Sequence, residues 1–403
     1  MDLSSFTSPS PGSLVPISGT DGVSGEWSHR AFVPHPLHDA TPHLSPATYL
    51  RVADARAALA ALDSTARQLP NPSLLRQPSL RREAQSTSAL EGTYESLPAV
   101  LTADAEGTQT PTMREVLNFV HMAQQAFDWV ADQRPLTVSM FSELQRTLVR
   151  GTPTEGPSSG KIRDIQVVIG HVSVGTAPLS AAHSARFIPP PPGTDLESQV
   201  ADLLRWLMVG RRRDVDPVVR AALAHYQFET LHPFHDGNGR IGRLLIVLHL
   251  QLMKMIKEPT LTVSPWFEAR RSDYYDRLYA VSSNGEWDQW VAFFAQGLED
   301  SALRTRDQML RLSQAQADLK ETVRSSALRA DTAQLLVDYA TAHPAFTVRQ
   351  VQRDLSVSYP RAKGLIQQLC DLGVLQGTGA TYRQQFYAPT VLQVLLDDRP
   401  AST

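Results

Sequence analysis

The sequence predicts a mainly α-helical protein with one β-hairpin and a small C-terminal unit built from three helices and two strands. Apolar residues recur at helical spacing through most of the chain after Tyr49, whereas β-branched residues gather in the single stretch "KIRDIQVVIGHVSVG". Near the C-terminus, three short helical patterns precede two strand-like pieces around a glycine turn.

Residues 1–45 are rich in Ser, Pro and Gly with little periodicity, which predicts an extended or disordered lead. Residues 46–112 read as a helical region. In its first helix Leu50, Val52, Ala55, Leu59 and Leu62 share a face; its second, "PSLRREAQSTSALEGTYESL", ends before Pro98. A central domain over 113–300 opens on "TMREVLNFVHMAQQAFDWVADQ", with Val116, Phe119, Val120, Ala123 and Phe127 on one face. Pro and Gly then surround the expected hairpin, and "FIPPPPG" forces an extended segment because consecutive prolines cannot enter a helix. Helical patterns return, and a connector helix is expected over 301–330. Residues 331–403 have winged-helix order, with helix-turn-helix spacing between the second and third helices.

Composition narrows the class of protein without naming a function. At 403 residues, with 42% apolar and 20% charged residues, the chain has ordinary globular make-up and room for two or three domains. The formal charge of −3 provides no global attraction to nucleic acid or anionic membrane. Cys370 is the lone cysteine, so an intrachain disulfide is excluded and a reducing compartment is expected. "MDLSSFTSPSPGS" lacks the basic start and apolar core of a signal peptide, and the longest apolar run, "IGRLLIVLHLQLMKMIK", is broken by His249, Gln251 and Lys254. The expectation is a cytoplasmic protein with no membrane partner.

Chemistry concentrates in "HPFHDGNGRIGR", residues 232–243. A plain glycine turn leaves the gathering of Asp236, Asn238, Arg240 and Arg243 unexplained. "GNGRIG" matches a dinucleotide fingerprint at Gly237, Gly239 and Gly242, but helical residues precede it where a strand is required. The His235-Asp236 pair lacks the further ligands of a metal phosphohydrolase. "EGPSSGK" lacks the first glycine of a P-loop, and Ile162 stands where Ser or Thr would bind Mg²⁺. A phosphate-transfer loop uses every residue. Gly237-Asn238-Gly239 lets backbone amides converge on an anion at the start of a helix, and Arg240 and Arg243 reach its oxygens. Asp236 suits Mg²⁺, His232 suits a general base, and Phe234 anchors the loop.

The same stretch resembles the Fic motif, His-x-Phe-x-Asp/Glu-Gly-Asn-Gly-Arg-x-x-Arg, at every fixed position. "KIRDIQVVIG" is similar to the family's target-docking flap, "RFIPPPP" to the segment after it, "YYDRLYAVSSNGEWDQWVAFF" to its closing helices, and "EWSHRAFVPHPL" with the helices of 50–100 to its N-terminal region. The resemblance implies a Fic-type helical bundle and transfer of AMP from ATP to Ser, Thr or Tyr hydroxyls of a protein target, and of the protein itself. On that basis His232 is the base and Asp236 the Mg²⁺ ligand. Gly237, Asn238, Gly239 and Arg240 cradle the phosphates, and the cofactor-binding stretch continues through Ile241 and Gly242 to Arg243 at the γ-phosphate. Tyr274 lies near adenine, and Val167 and Val168 align the target by strand addition. Ser282 stands where the family often has Asn, eight residues after Tyr274.

"TSALEG" resembles the family's inhibitory helix through Thr87, Glu91 and Gly92. The resemblance implies that Glu91 pairs with Arg243 and blocks the γ-phosphate, two groups competing for one guanidinium fork. Relatives that remove AMP or use another phosphate donor leave reaction direction and nucleotide open. The alternative from another class is a nucleotide-sensing, winged-helix DNA-binding regulator. Residues 331–399 hold six basic groups (Arg349, Arg353, Arg361, Lys363, Arg383, Arg399) and six acidic ones (Asp331, Asp338, Asp354, Asp371, Asp397, Asp398). This balance puts protein contact ahead of DNA for the C-terminal unit. A homodimer is left open as a further partner arrangement.

Overall fold

The computed structural model describes residues 1–7, 9–21, 25–39, 42–68, 75–103, 107, 109–171, 181–208, 215–326, 328, 331–378 and 384–397. Where an extended or disordered lead and a single hairpin were expected, an antiparallel ribbon stands first. β1 (Gly12–Asp21) pairs with β2 (Gly25–Pro34) from Gly12 opposite Pro34 to Asp21 opposite Gly25. A two-stranded ribbon has open outer edges, so Pro16 costs it no obligatory ladder bond. Phe32 is fully buried, and Leu14, Ile17 and Trp27 help cover a second, small core.

α1 (Pro46–Gln68) follows, then α2 (Arg76–Leu90) and α3 (Leu97–Thr102). The helix expected to run as far as Pro98 stops at Leu90, and Pro98 instead lies in the first turn of α3. Gly92 takes φ +93, a left-handed value open to glycine, while the Gly92 and Thr93 amides close back onto the Ala89 and Ser88 carbonyls. α4 (Pro111–Ala131) and α5 (Val138–Val149) begin where Thr110 and Thr137 accept from the Met113 and Met140 amides.

The expected hairpin pairs β3 (Ile169–His171) with β4 (Ala185–Phe187), preceded by the short α6 (Ala181–Ser184). Residues 172–175 of its predicted stretch lie outside the described residues. α7 (Thr194–Met208) leads to α8 (Pro217–Leu231), capped by Asp216 with Pro217 in its first turn, and to α9 (Asn238–Leu252). α8 and α9 are buried almost all round, the mark of central helices. α10 (Ser264–Glu268), α11 (Arg271–Asn284) and the 38-residue α12 (Trp287–Arg324) close the bundle, with α1 packed along α12.

The C-terminal unit contains α13 (Asp331–Ala342), β5 (Phe346–Thr347), α14 (Val348–Asp354), α15 (Tyr359–Asp371), β6 (Gln376–Gly377), β7 (Gln385–Tyr387) and α16 (Pro389–Leu396), a helix the sequence reading did not include. Its antiparallel sheet has order β5-β7-β6. The unit leans on the bundle: Arg82 of α2 donates to the Leu395 carbonyl at 3.0 Å, and Arg311 of α12 pairs with Asp397 at 2.9 Å. Arg383, Asp398 and Arg399, three members of the expected charge balance, lie outside the described residues.

Candidate active site

α8 ends at His232, whose φ of +47 turns the chain sharply, and Gly237 at φ +86 starts α9. Between them Phe234 is fully buried as an anchor. The Asn238 amide group accepts from the Phe234 N–H and donates to the Phe234 carbonyl, both at 2.8 Å, which braces the loop from within. Arg163 braces it from outside. Its Nε donates to the His232 carbonyl at 2.8 Å, and its other nitrogens reach the carbonyls of Ile165 and Pro190, tying loop to flap. Gly237 offers no side-chain cap, so the first-turn amides of α9 lack intrahelical acceptors and face outward at the positive end of the helix.

His232 Nδ1 lies 3.3 Å from the Glu229 carbonyl, which favours a proton on Nδ1 and a lone pair on Nε2. Burial lowers its pKa to about 4, so the ring is neutral near pH 7. Asp236 accepts from Arg240 Nη2 at 3.0 Å and from Thr154 Oγ1 at 2.9 Å, with a third of its side chain exposed. Arg240 also pairs with Glu115, which sequence reading had not singled out.

The expected inhibitory residues meet at Arg243, which is fully buried. Its Nε donates to Thr87 Oγ1 at 2.7 Å, and its Nη2 donates to the Thr87 carbonyl at 3.1 Å and to Glu91 Oε1 at 2.6 Å. Burial works against the charged form, but the Glu91 carboxylate keeps the guanidinium pKa above its ordinary value. A Cβ added at Gly239 would overlap Glu91 Oε1, so this carboxylate lies on the amino end of α9, where an anion would bind. Gly92 takes no part beyond the turn that ends α2.

Glu91, Glu229, His232, Gly239, Ile169 and Tyr275 help line a cavity of about 350 Å³, and Thr87, Asp236, Arg240 and Arg243 lie behind or beside its lining. Several expected members are placed elsewhere. Tyr274 is fully buried, its hydroxyl 2.8 Å from His225 Nε2 in an aromatic cluster, and Tyr275 lines the cavity instead. The Ile241 amide is spent inside α9 on the Gly237 carbonyl at 3.0 Å, and its side chain is core. Gly242 faces α8, where an added Cβ would overlap Glu229 Oε1. Val167 and Val168 precede the paired strand; the flap meets the cavity at Ile169, Gly170, Arg186 and Phe187. Ser282, the departure from the family pattern, lines the cavity and bonds Tyr226 through its hydroxyl at 2.9 Å.

A helical bundle here holds an anion loop and a neutral imidazole at one cavity, with two buried arginines on the helix behind it, a set of groups suited to phosphate-group chemistry. The Fic/DOC family N-terminal profile matches residues 49–128, and the Fic/DOC family profile matches residues 135–250. The chain thus carries a Fic/DOC N-terminal region and a Fic/DOC domain over these two segments. It is 34% identical over 160 residues to "Protein adenylyltransferase fic-1" of Caenorhabditis briggsae, covering 40% of this chain and 26% of that protein. It is 35% identical over 161 residues to "Protein adenylyltransferase Fic" of Drosophila melanogaster, covering 40% and 27%. The match thus spans about a quarter of the length of these curated relatives. In fold, the chain is similar to a crystal structure of a Fic family protein from Desulfovibrio desulfuricans, with TM-score 0.53 and 23% identity over 87% of this chain and 98% of that one. A second solved structure, residues 134–508 of Fic-1 from C. elegans, aligns with TM-score 0.50 and 22% identity over 66% and 74%.

Proposed function

We propose that the protein is a self-inhibited protein adenylyltransferase, which moves AMP from ATP to a Ser, Thr or Tyr hydroxyl of a protein target and of itself. The observation that carries this reading is the Glu91 carboxylate bound to Arg243 and seated on Gly239, inside an otherwise complete anion loop. In the proposed reaction, the target hydroxyl oxygen attacks the α-phosphorus. The new O–P bond forms as the bond to the bridging oxygen breaks and pyrophosphate leaves. His232 Nε2 takes the hydroxyl proton; its lowered pKa leaves that nitrogen unprotonated near pH 7. The first-turn amides of α9 hold phosphate oxygens, and Arg243 receives the γ-phosphate only when Glu91 withdraws.

Among the described residues no cluster of three or more His, Cys, Asp or Glu could hold a metal. Mg²⁺ is usually held by one or two carboxylates together with substrate phosphates, and a single part-exposed carboxylate beside the anion loop fits that pattern. Asp236 would hold it there, and the ion would offset negative charge on the phosphates. The flap strands, which border the cavity, would align the target backbone by strand addition. Among the described residues no helix is long and apolar enough to cross a membrane.

Labelled ATP with Mg²⁺ tests the reading. Automodification or labelling of lysate proteins by the Glu91→Gly chain supports it; no labelling from a folded Glu91→Gly chain overturns it.

A further inference from the structure

The reaction proposed above leaves one cavity carboxyl without a role. Glu229 stands on α8, one turn before His232, with 13% of its side chain exposed. It lines the cavity, yet Oε1 is buried without a hydrogen-bond partner. Arg243 Nη1 is likewise buried without a partner. A Cβ added at Gly239 would meet Arg243 Nη1 at 3.0 Å and one at Gly242 would overlap Glu229 Oε1, so both orphaned atoms lie along one face of α9, where a ligand with oxygen atoms would satisfy both.

The geometry of α9 relates the two carboxyl groups. An added Cβ at Gly239 would overlap Glu91 Oε1, and one at Gly242 would overlap Glu229 Oε1. Residues three apart on a helix have Cβ positions about 5–6 Å apart on one face, so both carboxyl groups lie against neighbouring glycines of the same face. Gly242 occupies a variable position of the loop motif, and the close approach of Glu229 gives it a reason to be glycine.

We propose that Glu229 is a specificity-determining residue of the nucleotide site, a neutral carboxyl group that donates a hydrogen bond to the terminal phosphate of a nucleoside triphosphate held by Arg243. The proposal rests on the adenylyltransferase reading for the site's ligand. Burial raises the Glu229 pKa to about 8 against the downward pull of Arg243, which outweighs the smaller upward push of the Glu91 charge. The groups around it are Glu91 at the end of α2, Arg243 of α9, His225 and His232 on α8, and Tyr274, Tyr275 and Arg271 on α11. Burial lowers the two imidazoles to about 3 and about 4 and raises Tyr275 to about 12 and Tyr274 further, so none of these four titrates between pH 7 and 9. Above its pKa, Glu229 becomes a second negative charge that repels the triphosphate.

Calorimetric binding of ATP and of ADP to the full Glu91→Gly chain tests this from about pH 7 to about pH 9.5, where a terminal phosphate, with a pKa near 6, is already ionised. We expect ATP affinity to fall by about fivefold or more across this range, as the donor becomes an anion. ADP affinity should change little. In Glu91→Gly/Glu229→Gln, whose amide donates at every pH, ATP affinity should no longer fall. Gly242→Ala in the same background should weaken ATP more than ADP by displacing the carboxyl group. ATP binding that is flat with pH in Glu91→Gly overturns the proposal, as does an equal fall for ADP or a fall that persists in the Gln variant. Binding is read independently of transfer: a chain that shows the pH effect but transfers no AMP overturns the adenylyltransferase reading alone. A chain that transfers AMP with pH-flat ATP binding overturns only the role of Glu229, and no ATP binding at any pH overturns both.

Discussion

The loop between α8 and α9 and the ribbon of β1 and β2 are both turns between paired elements, yet their stability comes from different distances along the chain. In the loop, Asn238 bonds Phe234, Asp236 bonds Arg240, and His232 bonds Glu229, all within four residues, with Arg163, Thr154 and Glu115 adding braces from distant segments. The ribbon is held by pairing and by distant cover. Phe32 packs at a tilt against Phe187 and Phe6, the Phe32 amide donates to the Ile188 carbonyl at 2.9 Å, and the Thr7 amide donates to the Ser283 carbonyl at 2.9 Å. A mainly locally determined segment can carry chemistry whose geometry survives changes elsewhere that leave its braces in place. A remotely determined one reports on the elements it joins, here the flap and the end of α11.

Changes in the loop and in the side chain that braces it should therefore affect transfer most. With Glu91→Gly as the active background, His232→Ala is expected to lower AMP transfer by about two to four decades while ATP binding persists, read by single-turnover labelling and calorimetry. Arg163→Leu comes next, because it leaves the carbonyls of His232, Ile165 and Pro190 without their donor. Each buried orphan costs about 1–3 kcal/mol, so denaturant unfolding should show a clear loss of stability and transfer should drop with it.

Acid should act on the loop through its histidine in a direction set by burial. A base with pKa about 4 stays unprotonated well below the ordinary histidine range, so at saturating ATP the kcat/KM for the protein target should hold level from about pH 7 to pH 5 and fall as pH approaches 4. Stability follows the same sign. His225 and His249, near 3, and His232, near 4, bind protons more readily in the unfolded chain, so their contribution is present above about pH 6.5 and is lost as pH falls toward 4. Thermal melts at pH 7.5 and 5 check this, and replacing buried His249 with Leu should reduce the difference.

The smallest effect on transfer belongs to the ribbon. Removing a buried Phe ring costs roughly 3–5 kcal/mol locally. Phe32→Ala should raise hydrogen exchange in β1, β2 and the flap while α8 and α9 stay protected. Loss of protection in α9 would erase the distinction between the two regions.

This contrast also explains what could be read from the sequence. Twelve consecutive residues held the catalytic loop because its contacts are local, and the short "TSALEG" stretch pointed to Thr87 and Glu91. Periodicity could not distinguish Tyr274 from Tyr275, since neighbours on a helix differ by about 100° and packing alone decides which faces the cavity. The ribbon hid behind Ser, Pro and Gly, although Leu14, Ile17, Trp27 and Phe32 supplied its buried side. Arg163 and Glu115 act across long separations and carry no local signal. Glu229 did carry one: it stands three residues before His232 and opposite a glycine in the next helix.

The central claim is that Glu91 restrains the site by holding Arg243. It is tested most directly by automodification of four chains: wild type, Glu91→Gly, Arg243→Ala and the double variant. Glu91 lies at the end of α2 rather than within it, so glycine there should cost less than the roughly 1 kcal/mol of a helix interior. The account predicts labelling raised severalfold or more in Glu91→Gly and returned to the wild-type level or below in the double variant. Wild-type labelling in a folded Glu91→Gly chain, or a gain that persists without Arg243, would contradict it.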